Sequence, residues 1–137
     1  MKLMSIDYGR RRIGVAVGGG DIPIRGLPTI DRRSNPDSIG KLASVIEREK
    51  PDLLVFGVPL DSNDAETVMS KEVRVFARKV KERTGLSVQY CDESLTSLQA
   101  ADLLRFRKKK ERRDKGAVDR LAACLILEQF LKENRAV

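Results

Sequence analysis

Five acids in this chain could do chemistry if the fold brings them together: Asp7, Asp61, Asp92, Glu93 and Asp119. No histidine accompanies them, and the two cysteines, Cys91 and Cys124, lack Cys-x-x-Cys spacing. That removes zinc sites, disulfide scaffolds and every mechanism with histidine as the base. Carboxylates, basic side chains, hydroxyls or a bound metal ion remain. Three converging carboxylates repel one another unless a cation sits between them, and an all-oxygen donor set favours Mg²⁺ or Mn²⁺. Such ions hydrolyse phosphodiesters by activating a water and stabilising the departing oxygen. Each acid also has an ordinary explanation. Asp7 before Tyr8-Gly9 is turn chemistry, Asp92 and Glu93 cap a helix, and Asp119 favours the positive end of its own helix. Separately these suffice, but they do not explain why acids so far apart in sequence fall at one edge of a sheet. Ser62, Ser94 and Thr96 have no histidine partner and read as caps rather than nucleophiles. Gly18-Gly19-Gly20 precedes no helix, and no Walker-type nucleotide loop is present.

The elements that must position these acids can be read from hydrophobic periodicity. Leu3–Asp7 and Ile13–Val17 are short strands joined through Tyr8-Gly9-Arg10-Arg11-Arg12, which predicts an antiparallel hairpin. Ile22–Leu27 is a third strand, and Pro23, which lacks a backbone donor, pushes it to an edge or a bulge. Asn35-Pro36 reads as N-cap and first helical position of a helix with an apolar face of Ile39, Leu42, Ala43 and Ile46, ended by Pro51. Leu53–Phe56 is a continuous apolar strand covered on both faces. A helix from about Ala65 to Thr84 buries Val68, Val73, Phe76 and Val80, with Gly85 as its left-handed end. Leu86–Tyr90 is the next strand, so strand, helix and strand form a parallel right-handed crossover. Thr96 and Gln99 form a capping box for a helix to about Phe106. Ala117 to Asn134 is a last helix carrying Val118, Leu121, Ala122, Leu125 and Ile126. These elements predict an α/β fold with a five-stranded mixed sheet in the order 3-2-1-4-5 and helices on both faces. In such a sheet, functional groups gather outside the carboxyl ends of the parallel strands. Asp7, Asp61, Asp92 and Glu93 lie there, and Asp119 joins them if its helix packs closely through Ala122 and Ala123.

The 137 residues fit a single domain, with 41% apolar and 34% charged residues. Leu53 to Leu60, the longest apolar run, is too short to cross a bilayer, and Met1-Lys2 leads into a strand rather than a signal region. A cytoplasmic protein with no membrane partner is expected. The net charge of +7 is concentrated. Between Arg105 and Lys115 stand eight basic residues and two acids, while the remainder of the chain is nearly neutral. One basic segment in an otherwise balanced chain suits a polyanion partner; a solvated charged loop is the plain alternative. Six aromatic residues are too few for a binder that stacks successive bases.

Ile6-Asp7-Tyr8-Gly9-Arg10-Arg11-Arg12-Ile13-Gly14-Val15-Ala16 resembles the opening motif of the YqgF family of ribonuclease H-like proteins, associated with pre-16S rRNA processing. Gly57-Val58-Pro59-Leu60, Asp92-Glu93-Ser94-Leu95-Thr96-Ser97 and Val118-Asp119-Arg120-Leu121-Ala122-Ala123 resemble its later motifs, in family order over nearly the whole chain. The resemblance implies a ribonuclease H-like fold related to Holliday junction resolvases, with Asp7, Glu93 and Asp119 as the metal-binding and catalytic acids. Ser94 stands where the family usually has an arginine. Asp61-Ser62-Asn63-Asp64-Ala65-Glu66 replaces an Asp-Gly-Ser-like stretch; both departures bear on substrate contacts.

These readings together predict an Mg²⁺- or Mn²⁺-dependent nuclease acting on structured RNA, in maturation of precursor rRNA and in association with the ribosome. Arg10, Arg11, Arg107, Lys108, Lys109, Lys110, Arg112, Arg113 and Lys115 would hold the phosphate backbone. Rival readings are a resolvase of branched DNA, which would favour a homodimer over a monomer, and a non-catalytic nucleic-acid-binding module. An actin-like or sugar-kinase ATPase has a similar first hairpin, but needs two such domains around its nucleotide.

Overall fold

A computed structural model describes residues 1–60, 63, 65–92 and 115–134 of the chain. Its strands are β1 (Leu3–Asp7), β2 (Arg12–Gly19), β3 (Ile22–Gly26), the two-residue β4 (Ile30–Asp31), β5 (Leu53–Val58) and β6 (Val88–Asp92). Its helices are α1 (Ser38–Glu49), α2 (Val68–Thr84) and α3 (Lys115–Glu133). The sheet runs β3-β2-β1-β5-β6, with β4 off that path and paired with β2. It therefore has six strands rather than the expected five. β4 is too short to carry any apolar alternation, so periodicity cannot reveal it. β1 and β2 are antiparallel, whereas β5 is parallel to both β1 and β6. The carboxyl ends of β1, β5 and β6 thus share one edge.

The central strands separate two apolar layers by simple alternation. Met4 and Ile6 of β1 and Leu54, Phe56 and Val58 of β5 face α1 and α2, where Leu42, Ile46, Val73, Phe76 and Val80 close the larger core. Leu3, Val55 and Cys91 face the other way, onto Ile126, Leu127 and Phe130 of α3. Ser5, fully buried on that second face, donates its hydroxyl hydrogen to the Ala123 carbonyl at 2.6 Å. The edge strand β3 is largely exposed, as Pro23 requires.

Several boundaries differ from expectation, each for a local reason. α1 is capped by Asp37, whose carboxylate accepts from the Gly40 amide at 2.9 Å. Asn35 instead folds back on β4, donating to the Asp31 carbonyl at 2.8 Å. α2 begins at Val68 because Thr67 and Ser70 form a reciprocal capping box. Val68, in the first turn, is 75% exposed and not part of the core. Gly85 does close α2 in the left-handed region, at φ 74°. β6 lies two residues further along than Leu86–Tyr90, so Asp92 is its last residue rather than lying beyond its end. The helix expected from Thr96 to Phe106 lies outside the described residues.

Candidate active site

Asp7 ends β1, two residues beyond Ser5, so alternation puts it on the face covered by α3. Its register partner in β2 is Gly14. A Cβ built on Gly14 would lie 2.1 Å from the Asp119 carbonyl oxygen and 3.1 Å from the Asp119 Cβ. Only glycine therefore lets α3 descend onto the sheet at this point, and the residue it delivers there is Asp119. Ala16, Ala122 and Ala123 extend the close approach. Sequence-distant Asp7 and Asp119 are brought to one place by a strand pairing and a missing side chain.

Asp119 carries an ion pair that the motifs alone do not reveal. The Arg12 Nε donates to Asp119 Oδ2 at 2.8 Å, with side-chain exposures of 32% and 20%. Arg12 opens β2 and shares the face of Gly14, two residues on. A strand taken to begin at Ile13 leaves Arg12 in the turn and hides the pairing; extending the alternation by one residue exposes it.

Asp92 stands apart from this pair. Asp92 pairs with Val58, and both lie on the α1/α2 face, so Asp92 shares the edge with Asp7 but not the side of the sheet. Asp61, Glu93 and the basic residues Arg107, Lys108, Lys109, Lys110, Arg112 and Arg113 lie outside the described residues, while the backbone of Lys115 begins α3. Arg10 reaches α2, donating through Nε and Nη2 to Glu72 Oε2 at 2.9 and 2.6 Å. The hydrogen bond and the charge of Arg10 hold the Glu72 carboxyl below its ordinary pKa and raise that of Arg10 in return. Arg11 beside it is exposed. Among the described residues no three histidine, cysteine or acidic side chains cluster as a metal site. Strand register and the Gly14 contact set Asp7 and Asp119 on one face at one edge of the sheet, and carboxylate oxygens are the donor type that a hard divalent cation takes.

On the opposite face, Arg32 is a second residue that the sequence does not mark. Its guanidinium stacks 5.1 Å from the Tyr8 ring and 5.6 Å from Phe76, and donates to the Gly9 carbonyl at 3.1 Å. It thereby braces the turn that follows Asp7. A cleft of about 530 Å³ opens beside it between α1 and α2, lined in part by Ile39, Val75 and Lys79.

Comparison with known proteins gives the family and the fold. The family model described as "RuvX: Holliday junction resolvase" matches residues 1–133. A protein of Crocosphaera subtropica named "Putative pre-16S rRNA nuclease" is 38% identical over 134 residues, covering 97% of this chain and 94% of its own. One of the same name from Synechococcus elongatus is 37% identical, covering 96% and 89%. Among solved structures, Thermus thermophilus RuvC superposes with a TM-score of 0.58 at 16% identity, covering 97% of this chain and 96% of its own. The fowlpox virus Holliday junction resolvase gives 0.61 at 13% identity, covering 97% and 99%. These two likenesses are of fold, and the fold is that of the RuvC-like, ribonuclease H-like group. By its near-full-length family match and its relatives above 30% identity, the chain belongs to the RuvX/YqgF family.

Proposed function

We propose that this protein is a divalent-metal-dependent nuclease that hydrolyses phosphodiester bonds in the 5′-end processing of pre-16S rRNA. The observation that carries the reading is the seating of Asp119 on Gly14, the register partner of Asp7, at the carboxyl edge of the parallel strands. Relatives named for pre-16S rRNA supply the substrate class. Asp7, Glu93 and Asp119 would hold Mg²⁺ or Mn²⁺, which when bound supplies an activated water and charge stabilisation for the departing oxygen. The β1–β2 pairing, the Ser5–Ala123 bond and the Gly14 contact support a site whose Asp7 and Asp119 would be held in position ahead of substrate. Arg10 and Arg11 and the Arg107–Lys115 cations would grip the backbone. Arg10 must first release Glu72, an exposed pair that exchanges at little cost.

A second reading has its own support. The family model and the solved structures of similar fold are named for Holliday junction resolution, which favours branched DNA as substrate. The deciding experiment offers precursor rRNA and four-way DNA junctions side by side with Mg²⁺, Mn²⁺ or chelator. Preferential, chelator-sensitive cleavage of the RNA is expected. Cleavage of the junction alone would transfer the reading to the resolvase, and cleavage in chelator would remove the metal. No helix among the described residues is long and apolar enough to cross a membrane. A cytoplasmic site of action beside the ribosome fits this substrate.

A further inference from the structure

The Arg12–Asp119 pair bears on how the proposed site changes from its metal-free to its working state. The bond engages one carboxylate oxygen, Oδ2, through the guanidinium Nε, and water reaches both side chains. Ion pairs of this exposure hold together weakly, so another cation can displace the guanidinium at small cost. A guanidinium does not deprotonate in a protein. If it leaves Asp119 it leaves as a cation, beside a site whose substrate is a chain of phosphates. Its planar fork of donors matches a phosphate as well as it matches a carboxylate.

We propose that Arg12 is an exchangeable counter-ion: it holds Asp119 in the metal-free protein, gives up Oδ2 to the divalent cation, and then binds a phosphate of the substrate. The inference rests on the metal-dependent nuclease reading above. It makes cation and polyanion bind cooperatively, because each favours the arrangement in which Arg12 has left Asp119. A fixed strut that merely orients Asp119 would behave in the opposite way, since its removal would loosen the metal site.

Two measurements on the full chain separate these roles, and neither requires turnover. In the first, free Mn²⁺ is followed by paramagnetic resonance as it is titrated into wild type, Arg12→Met, Arg12→Gln and Asp119→Asn, without nucleic acid. Both Arg12 variants should bind Mn²⁺ more tightly than wild type, by about threefold to fivefold, the range expected on removing an exposed competing cation. Asp119→Asn should bind it more weakly. Equal or weaker binding by both Arg12 variants overturns the proposal. If no chain binds Mn²⁺, wild type included, the metal reading itself fails and takes the proposal with it. In the second, RNA affinity is titrated against salt in chelator. Arg12→Met should flatten the wild-type log–log slope by less than one unit, because Asp119 competes with phosphate for the guanidinium. Asp119→Asn frees it, so the double variant Arg12→Met/Asp119→Asn should have a slope shallower than Asp119→Asn by about one unit. Identical slopes for those two chains would refute the transfer to phosphate. Circular dichroism on each variant confirms that folded chains are being compared.

Discussion

The two ends of the sheet treat a carboxylate in contrasting ways. At the end where β1 begins, Glu49 closes α1 with its side chain only 11% exposed and three cations around it. The Lys2 Nζ lies 3.2 Å away, the Arg25 Nη2 2.8 Å and the Arg48 Nε 3.7 Å. At the end where β1 finishes, Asp119 stands on the sheet with one described guanidinium beside it, partly open to water. The first acid ties α1 to β3 and to the residue that leads into β1, and is satisfied within the fold. The second, among the described residues, holds a single weak ionic partner at the carboxyl edge of the parallel strands. An acid enclosed by cations serves the fold; one with an exchangeable cation can serve a ligand. The charge around each acid, and not the acid itself, makes the difference.

The sharpest way to break this contrast is to neutralise an acid at each end. Asp7→Asn or Asp119→Asn should lower Mg²⁺-dependent cleavage of precursor rRNA by orders of magnitude while the chain still folds. Glu49→Gln should leave the rate unchanged. Single-turnover assays with circular dichroism on the same samples check both statements, and full activity in Asp7→Asn would end the proposed mechanism. A smaller but structurally direct effect is expected from Gly14→Ala. Its new methyl would fall on the Asp119 carbonyl, so α3 must lift or the strand must bend. Overpacking of this kind costs about 1–3 kcal/mol, readable by urea denaturation. Cleavage should fall further than that loss of stability explains, because Asp119 moves with its helix. Next in size is Lys108, Lys109 and Lys110 replaced together by Ala. RNA affinity should weaken for every sequence tested, and the salt slope should become shallower by about one unit for each lysine that neutralises a phosphate. An unchanged slope would reduce that run to a solvated segment and leave recognition to Arg10, Arg11 and Arg12.

Much of this contrast is legible in the amino-acid sequence. The apolar run Leu53–Phe56 predicts a strand buried on both faces, and Leu54, Val55 and Phe56 are all fully buried. Asp7 and Asp119 emerge as candidates from strand ends and motif resemblance, and the fold seats Asp119 on the partner of Asp7. Their mutual placement depends on Gly14, whose role as a gap under a helix is invisible until α3 is known to cross β2. Periodicity misjudges Val68, because an apolar residue in a first helical turn can point past the core as easily as into it. Arg12 escapes for a related reason: a charged residue beside a turn carries no periodic signal, although its strand places it on the face of Gly14 and Asp119. Arg32 is bound to Tyr8 and Phe76 through a ring stack between residues distant in sequence, which no local pattern encodes.

The smallest expected effect comes from titrating the well-compensated end. Burial opposes ionisation of Glu49, but the hydrogen bond from Lys2 and the charges of Arg25, Lys2 and Arg48 outweigh it, so its carboxyl titrates below the ordinary value of 4.5. A carboxyl with a depressed pKa in the folded chain contributes its full stabilisation above the unfolded-state value. That contribution is lost as pH falls through the folded-state value. Glu66 and Glu72, held low mainly by their hydrogen bonds from Arg74 and Arg10, titrate in the same acid range. The informative quantity is therefore the stability difference between wild type and Glu49→Gln, not the acid limb of either alone. That difference should be present at pH 7, amount to about 1 kcal/mol or less for pairs partly open to solvent, and shrink as pH drops below 4.5. Urea denaturation at pH 7, 5 and 3.5 reads it directly. A difference that stays constant across those three values would mean that the cations around Glu49 stabilise the glutamine as well as the carboxylate. The charge contrast between the two ends of the sheet would then be one of packing instead.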